Sequence, residues 1–223
     1  MSTFKERLLM DKAMKGVFSE FFTEFLEDKA YIRYVGQETV WSEGDHAHVR
    51  YRYDSTTEFL RYLPDGFVFW HTDYPDKKNF FVDFKVADTG IQSDKSELFM
   101  AMRTEVDDLE TYEVLGIEGK SLEHLCSLAK CDINTIIWAY SSFRPKSKWL
   151  AIRPEQAAVL GMHERGTMKN TTGAGTTIAN ILARVDSKRV YDLGDWLSMT
   201  FGLDKDEISA WLGSRSPIAG DEN

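Results

Sequence analysis

The run NFFVDFKVA, residues 79–87, constrains this chain more than any other stretch. Val and Phe fill it in the manner of a buried strand, yet Asp83 and Lys85 stand in its middle. The two-residue period of a strand projects both charges from one face and turns Val82, Phe84 and Val86 to the other. A buried charge without a partner is costly, so Asp83 and Lys85 must pair, reach water or meet a metal ion. Acid-x-Lys triplets also occur at Glu27, Asp76, Glu118 and Asp186, but none of those lies inside an apolar strand-like run.

The flanking sequence predicts a hairpin. GFVFW at 66–70 is a second apolar run, and a turn-rich loop with Asp73, Pro75, Asp76 and Asn79 joins the two. Upstream, Thr3 and Glu6 form a capping-box pattern, and Leu8, Phe18, Phe22 and Phe25 recur at helical spacing through about residue 29. Strands are predicted at YIRYV (31–35) and HVRYRY (48–53), and a helix over 95–106. KSLEHLCSLAK reads as a helix with Ser121 as N-cap, followed by strands NTIIWAY (134–140) and KWLAI (148–152). This order predicts an α/β fold, a mixed β-sheet flanked by helices.

From residue 154 the pattern changes, which predicts a core over 1–153 and a mainly helical extension over 154–223 packed on it. The extension reads as a helix PEQAAVLGM, a glycine-rich loop, a helix IANILARV (178–185) and a helical pair over about 190–213. Trp196, Leu197, Phe201, Ile208, Trp211 and Leu212 give that pair a large apolar surface, to be covered by the core or by a partner subunit in a homodimer. Its spacing matches a helix-turn-helix, but Asp204, Asp206 and Glu207 would face phosphates, so a packing or dimerisation hairpin is the better reading.

With 43% hydrophobic and 13% aromatic residues in 223, the chain can bury a sizeable core. No apolar run reaches the roughly 20 residues of a membrane span, and the N-terminus lacks a signal-peptide pattern, so a cytoplasmic location without membrane contact is expected. The net charge of −9 argues against a protein that coats nucleic acid by bulk electrostatics. It does not argue against an acidic catalytic site beside a local basic surface, for which Arg33, Arg50, Arg52 and Arg61 are available. Cys126 and Cys131 are too few for a disulfide framework and are expected to be reduced and buried. His46-x-His48 lacks companion zinc ligands, and the Gly173-Ala174-Gly175 loop lacks a Walker lysine.

A second acid at the hairpin can meet Asp83. Asp65, just before GFVFW, can bring its carboxylate alongside, and two carboxylates with a carbonyl suit Mg²⁺, an oxygen-loving ion that keeps several waters. LPDGFVFW followed by FFVDFK resembles the PD-(D/E)XK nuclease superfamily over roughly residues 15–153. The resemblance implies a restriction-endonuclease-like core and a Mg²⁺- or Mn²⁺-dependent nuclease, with DNA as the favoured nucleic acid. Asp65, Asp83 and Lys85 would be catalytic; Asp65, Asp83 and the Phe84 carbonyl would hold the metal, joined by Glu20 or Glu24 of the first helix. Arg50, Arg52 and Arg61 would contact nucleic acid, and Asp73 would replace Asp65 if the register differed. The site should lie in a cleft open to solvent. The competing reading is a structural hairpin with Asp65 in a Pro-Asp-Gly turn and Lys85 paired to an acid, in a non-catalytic macromolecule-binding or adaptor protein.

Overall fold

The computed structural model of the chain describes residues 4–34, 63–87, 114–141, 148–169, 175–184 and 190–217. Two antiparallel strands, β1 (Ala30–Tyr34) and β2 (Gly66–Trp70), lead into β3 (Phe80–Ala87). β3 pairs in parallel with β5 (Thr135–Ser141), which is followed in the sheet by β6 (Lys148–Ile152) and the short β9 (Tyr191–Asp192). The result is a mixed six-stranded sheet in the order β1-β2-β3-β5-β6-β9. β4 (Val114–Glu118), β7 (Gly161–Lys169) and β8 (Gly175–Arg184) form a separate three-stranded sheet.

Helices cover both faces of the large sheet, as the α/β reading predicts. Helix α1 (Phe4–Phe25) buries Met14, Phe18, Phe21 and Phe22 against the even-numbered side chains Val82, Phe84, Trp138 and Tyr140. Helices α4 (Leu193–Phe201) and α5 (Lys205–Gly213) join the same layer through Leu197, Phe201, Ile208 and Trp211. The opposite face of β5 and β6 packs Ile137, Ala139, Leu150 and Ile152 on α2 (Gly119–Lys130) and α3 (Pro154–Leu160). β5 and β6 therefore carry two apolar faces, which is why they read as nearly continuous hydrophobic runs.

Local chemistry sets the boundaries. The Trp70 N–H donates to the Asn79 side chain at 3.0 Å, closing the hairpin loop without a backbone partner. Gly66 opens β2 because a Cβ there would meet Ile32 Cδ1 and Val82 Cγ1, each at 3.1 Å. Helix α4 starts on Asp192, whose carboxylate accepts from the Asp195 N–H, and stops at Gly202, in the left-handed region at φ 66°. Asp204 caps α5 in the same way, accepting from the Glu207 N–H at 2.9 Å.

Four expectations change. Residues 178–184, predicted as helix, lie in β8, which pairs with β4 and β7, so no helix follows the glycine-rich loop to offer its N-terminus to a phosphate. The segment after 154 is thus not mainly helical until α4. Chain on both sides of residue 153 contributes to both sheets, because β4 pairs with β8 and β6 with β9. Helix α2 begins at Gly119, ahead of the predicted cap Ser121. Cys131 is exposed and Cys126 half-buried, and burial raises the Cys126 thiol pKa above its ordinary value. The predicted strand at 48–53 and helix at 95–106 lie outside the described residues.

Candidate active site

The register of β2 and β3 decides which acid meets Asp83. Gly66 pairs with Val82, Phe67 with Phe81 and Val68 with Phe80. Extended by one and two residues, that register sets Asp65 opposite Asp83 and Pro64 opposite Phe84. Proline has no N–H to give, so the ladder cannot continue through Pro64. The Asp65 side chain takes over instead: its Oδ2 accepts from the Phe84 N–H at 2.7 Å. The carboxylate of Asp65 therefore lies against the peptide that directly follows Asp83. A residue's N–H and C=O leave a strand on the same side, so the Phe84 carbonyl faces the Asp65 edge as well. Asp73 sits in the exposed loop at the far end of the hairpin, beyond the Val68–Phe80 pair, and is not at this site.

Asp83 and Lys85 project together from the face opposite Phe84, and the Lys85 ammonium lies 2.5 Å from Asp83 Oδ2. The pair is not a solvated one. The Asp83 side chain is 6% exposed and that of Lys85 24%, so the acid lies beneath the ammonium rather than in an open cleft. The Lys85 ammonium is the ion-pair partner of this oxygen, so a cation at Asp83 would have to share it or displace the ammonium. A buried carboxylate beside a second acid, Asp65, and the Phe84 carbonyl has the oxygen chemistry of a divalent-cation site. Among the described residues no group of three or more His, Cys, Asp and Glu comes together. A site of Asp65, Asp83 and the Phe84 carbonyl would offer two carboxylates and a carbonyl, a number that suits Mg²⁺, which is commonly held by one or two carboxylates plus water and phosphate oxygens.

Glu20 and Glu24 do not converge on these acids. They meet Arg215 near the C-terminus, Glu20 at 3.5 Å and Glu24 at 3.9 Å, and Glu24 also accepts from the Trp211 indole N–H at 2.8 Å. The guanidinium of Arg215 lies 3.6 Å over the Trp211 ring, so this cluster clamps α5 to α1. The α1 residue that does reach the site is Lys15, whose ammonium lies 3.9 Å from Asp65 Oδ1 with only 13% of its side chain exposed. The Tyr34 hydroxyl anchors that turn, donating to the Lys15 carbonyl at 2.6 Å, and burial pushes its pKa up to about 12. Lys15 was missed as a site residue, although its place one helical turn before Phe18, which stacks on Phe84, could have pointed to it. Arg50, Arg52 and Arg61 lie outside the described residues.

No described helix is long and apolar enough to cross a membrane. No protein-family model matches the chain, and no curated protein matches it. Among solved structures, the chain is similar to D212, a nuclease from a fusselovirus, at 10% identity over 96% of this chain and 97% of that one, with a TM-score of 0.40.

Proposed function

We propose that the chain is a divalent-metal-dependent phosphodiesterase that cleaves nucleic acid, DNA being the favoured substrate. The observation that carries this reading is the break at Pro64. It ends the β2–β3 ladder at Asp65, whose carboxylate takes the Phe84 N–H next to Asp83 in the chain, with Lys85 on Asp83. Asp65, Asp83 and the Phe84 carbonyl would hold Mg²⁺ or Mn²⁺. Such an ion supplies a water of lowered pKa and polarises the phosphorus–oxygen bond. Lys85 places a positive charge beside the phosphate, where negative charge grows as water attacks, and Lys15 balances Asp65 from the α1 side. The test is incubation with single-stranded, duplex and branched substrates in Mg²⁺, Mn²⁺ or EDTA, comparing wild type with Asp83→Asn. Cleavage that needs both the metal and Asp83 supports the assignment; none by wild type with either metal sinks it.

A second reading has an observation of its own. The direct Lys85–Asp83 pair and the burial of Asp83 also suit a closed, structural ion pair in a non-catalytic nucleic-acid-binding or adaptor protein. Under that reading the pair has a stabilising role alone, and Mg²⁺ leaves the melting temperature unchanged.

A further inference from the structure

The face of the sheet that carries Asp83 and Lys85 also carries four rings that belong to neither core cluster: Phe81, Phe67, Phe69 and Tyr31. They touch in sequence, Phe81 to Phe67 at 4.4 Å, Phe67 to Phe69 at 4.2 Å, and Phe69 to Tyr31 at 5.1 Å with their planes only 10° apart. The strand register explains the continuity. Phe81, Phe67 and Arg33 stand side by side on β3, β2 and β1, and Phe69 stands beside Tyr31 in the adjoining row. Tyr31 is 43% exposed, the three phenylalanines are half-buried, and Arg33 is exposed. Asp83 follows Phe81 by two residues on the same strand, a step of about 7 Å. The aromatic row thus runs from β1, the outermost of the described strands, to the candidate cleavage site.

Half-exposed rings in contact with one another forgo burial that a core would give them, so the row is surface built for something flat. Bases in a duplex hide their faces in the stack, whereas an unpaired strand presents them, and base–aromatic stacking is the usual means of holding such strands on a sheet. Arg33, between the rings and the sheet edge, supplies the cation that a phosphate backbone needs. We propose that Tyr31, Phe69, Phe67 and Phe81 form a stacking platform for an unpaired nucleic-acid strand, which Arg33 guides toward Asp65 and Asp83. The proposal rests on reading those acids as the cleavage site and assigns that site a substrate class: a single strand, or the unpaired portion of a branched one.

Binding is measured in EDTA, where no cleavage occurs, by anisotropy of a labelled oligothymidine and of a duplex of equal length. The single strand binds more tightly than the duplex. Tyr31→Ala and Phe69→Ala each weaken single-strand binding by about 5- to 150-fold, the range for loss of one stacked base. Tyr31→Trp retains it, and Arg33→Gln lowers the salt dependence by about 0.7 in logarithmic slope. Because Tyr31 is exposed and outside both core clusters, its variants fold as wild type does, and equal melting temperatures verify this. Equal affinity for both substrates, or wild-type binding by the alanine variants, overturns the platform. So does self-association of the protein that Tyr31→Ala abolishes while single strands fail to bind, which would make the row a contact between copies. Cleavage in Mg²⁺ is scored separately. Platform binding without any cleavage removes the reading of Asp65 and Asp83 alone, whereas duplex cleavage indifferent to Tyr31→Ala removes the platform alone.

Discussion

Removal of the Lys85 ammonium separates catalysis from folding. Truncation to alanine leaves Asp83 buried with its charge, its side chain only 6% exposed. Breaking a buried ion pair by deleting one partner costs about 3–5 kcal/mol. Lys85 is 24% exposed and water can enter the space it leaves, so the lower end applies, about 3 kcal/mol. For a chain of this size each kcal/mol lowers the melting temperature by about 2–4 °C, which gives a fall of about 6–12 °C for Lys85→Ala without metal. Mg²⁺ then acts differently on the two proteins. In wild type the ammonium competes for Asp83 Oδ2; in the variant nothing does, and metal at one hundred times its dissociation constant returns about 2.7 kcal/mol. The variant therefore gains more from Mg²⁺ than wild type does, while its cleavage is lost. Scanning calorimetry across a Mg²⁺ titration and cleavage on the same preparations test both halves. A variant that melts with wild type and ignores Mg²⁺, or a folded one that cleaves as wild type does, refutes the reasoning.

Asp83→Asn removes the charge but keeps the shape, so it should fold and lose Mg²⁺ affinity, as isothermal titration will show. Tyr34 gives an alkaline signature: its pKa rises from 10.0 to about 12 in the folded chain because burial disfavours the phenolate. Its contribution is therefore whole below pH 10 and is lost as pH climbs from 10 to 12; Tyr34→Phe should flatten the stability profile in that window, followed by chemical denaturation at each pH. Trp211→Ala should cost about 3–5 kcal/mol, since it empties a nearly buried site in the α1–α5 contact; urea melts measure it. Gly194→Ala should cost about 1 kcal/mol, because its Cβ would stand 2.8 Å from Ser209 Oγ and 3.0 Å from Asp192 Oδ1, so the Ser209 hydroxyl and the capping carboxylate of α4 must both shift; the same melts apply.

Strands with two apolar faces were the most legible elements. GFVFW and KWLAI coincide with β2 and β6, because no helical spacing competes with runs that short and rich in bulky side chains. TTIANILAR misled for the converse reason. Its apolar residues fit a helical stripe as well as an alternating one, and only pairing with both β4 and β7 settles it as β8. Its β-branched Thr176, Thr177, Ile178 and Ile181 were the available local hint. At the candidate site the charges in the β3 run and their shared face were readable, since strand period alone dictates them. Asp65 over Asp73 was not, because both flank the same strand and only the register distinguishes them. The choice of Glu20 and Glu24 failed on long-range contacts: Arg215 and Trp211 lie nearly two hundred residues away in sequence and claim both acids.

Phe84 ties the site to light. Its amide holds Asp65, and its ring stacks on Phe18 at 5.1 Å and lies 6.1 Å from Trp138. Trp138 is wholly buried, its indole N–H finds no hydrogen-bond partner among the described residues, and a second indole, Trp196, lies 5.7 Å away. Such a pair in an apolar surround emits at the blue end of the tryptophan range and couples excitonically in the near ultraviolet. A ligand that displaced the Phe84 backbone would move a ring one contact away from those chromophores, so near-ultraviolet dichroism of the core, read against the chain's four other tryptophans, is an unlabelled means of following the strand that bears the acids.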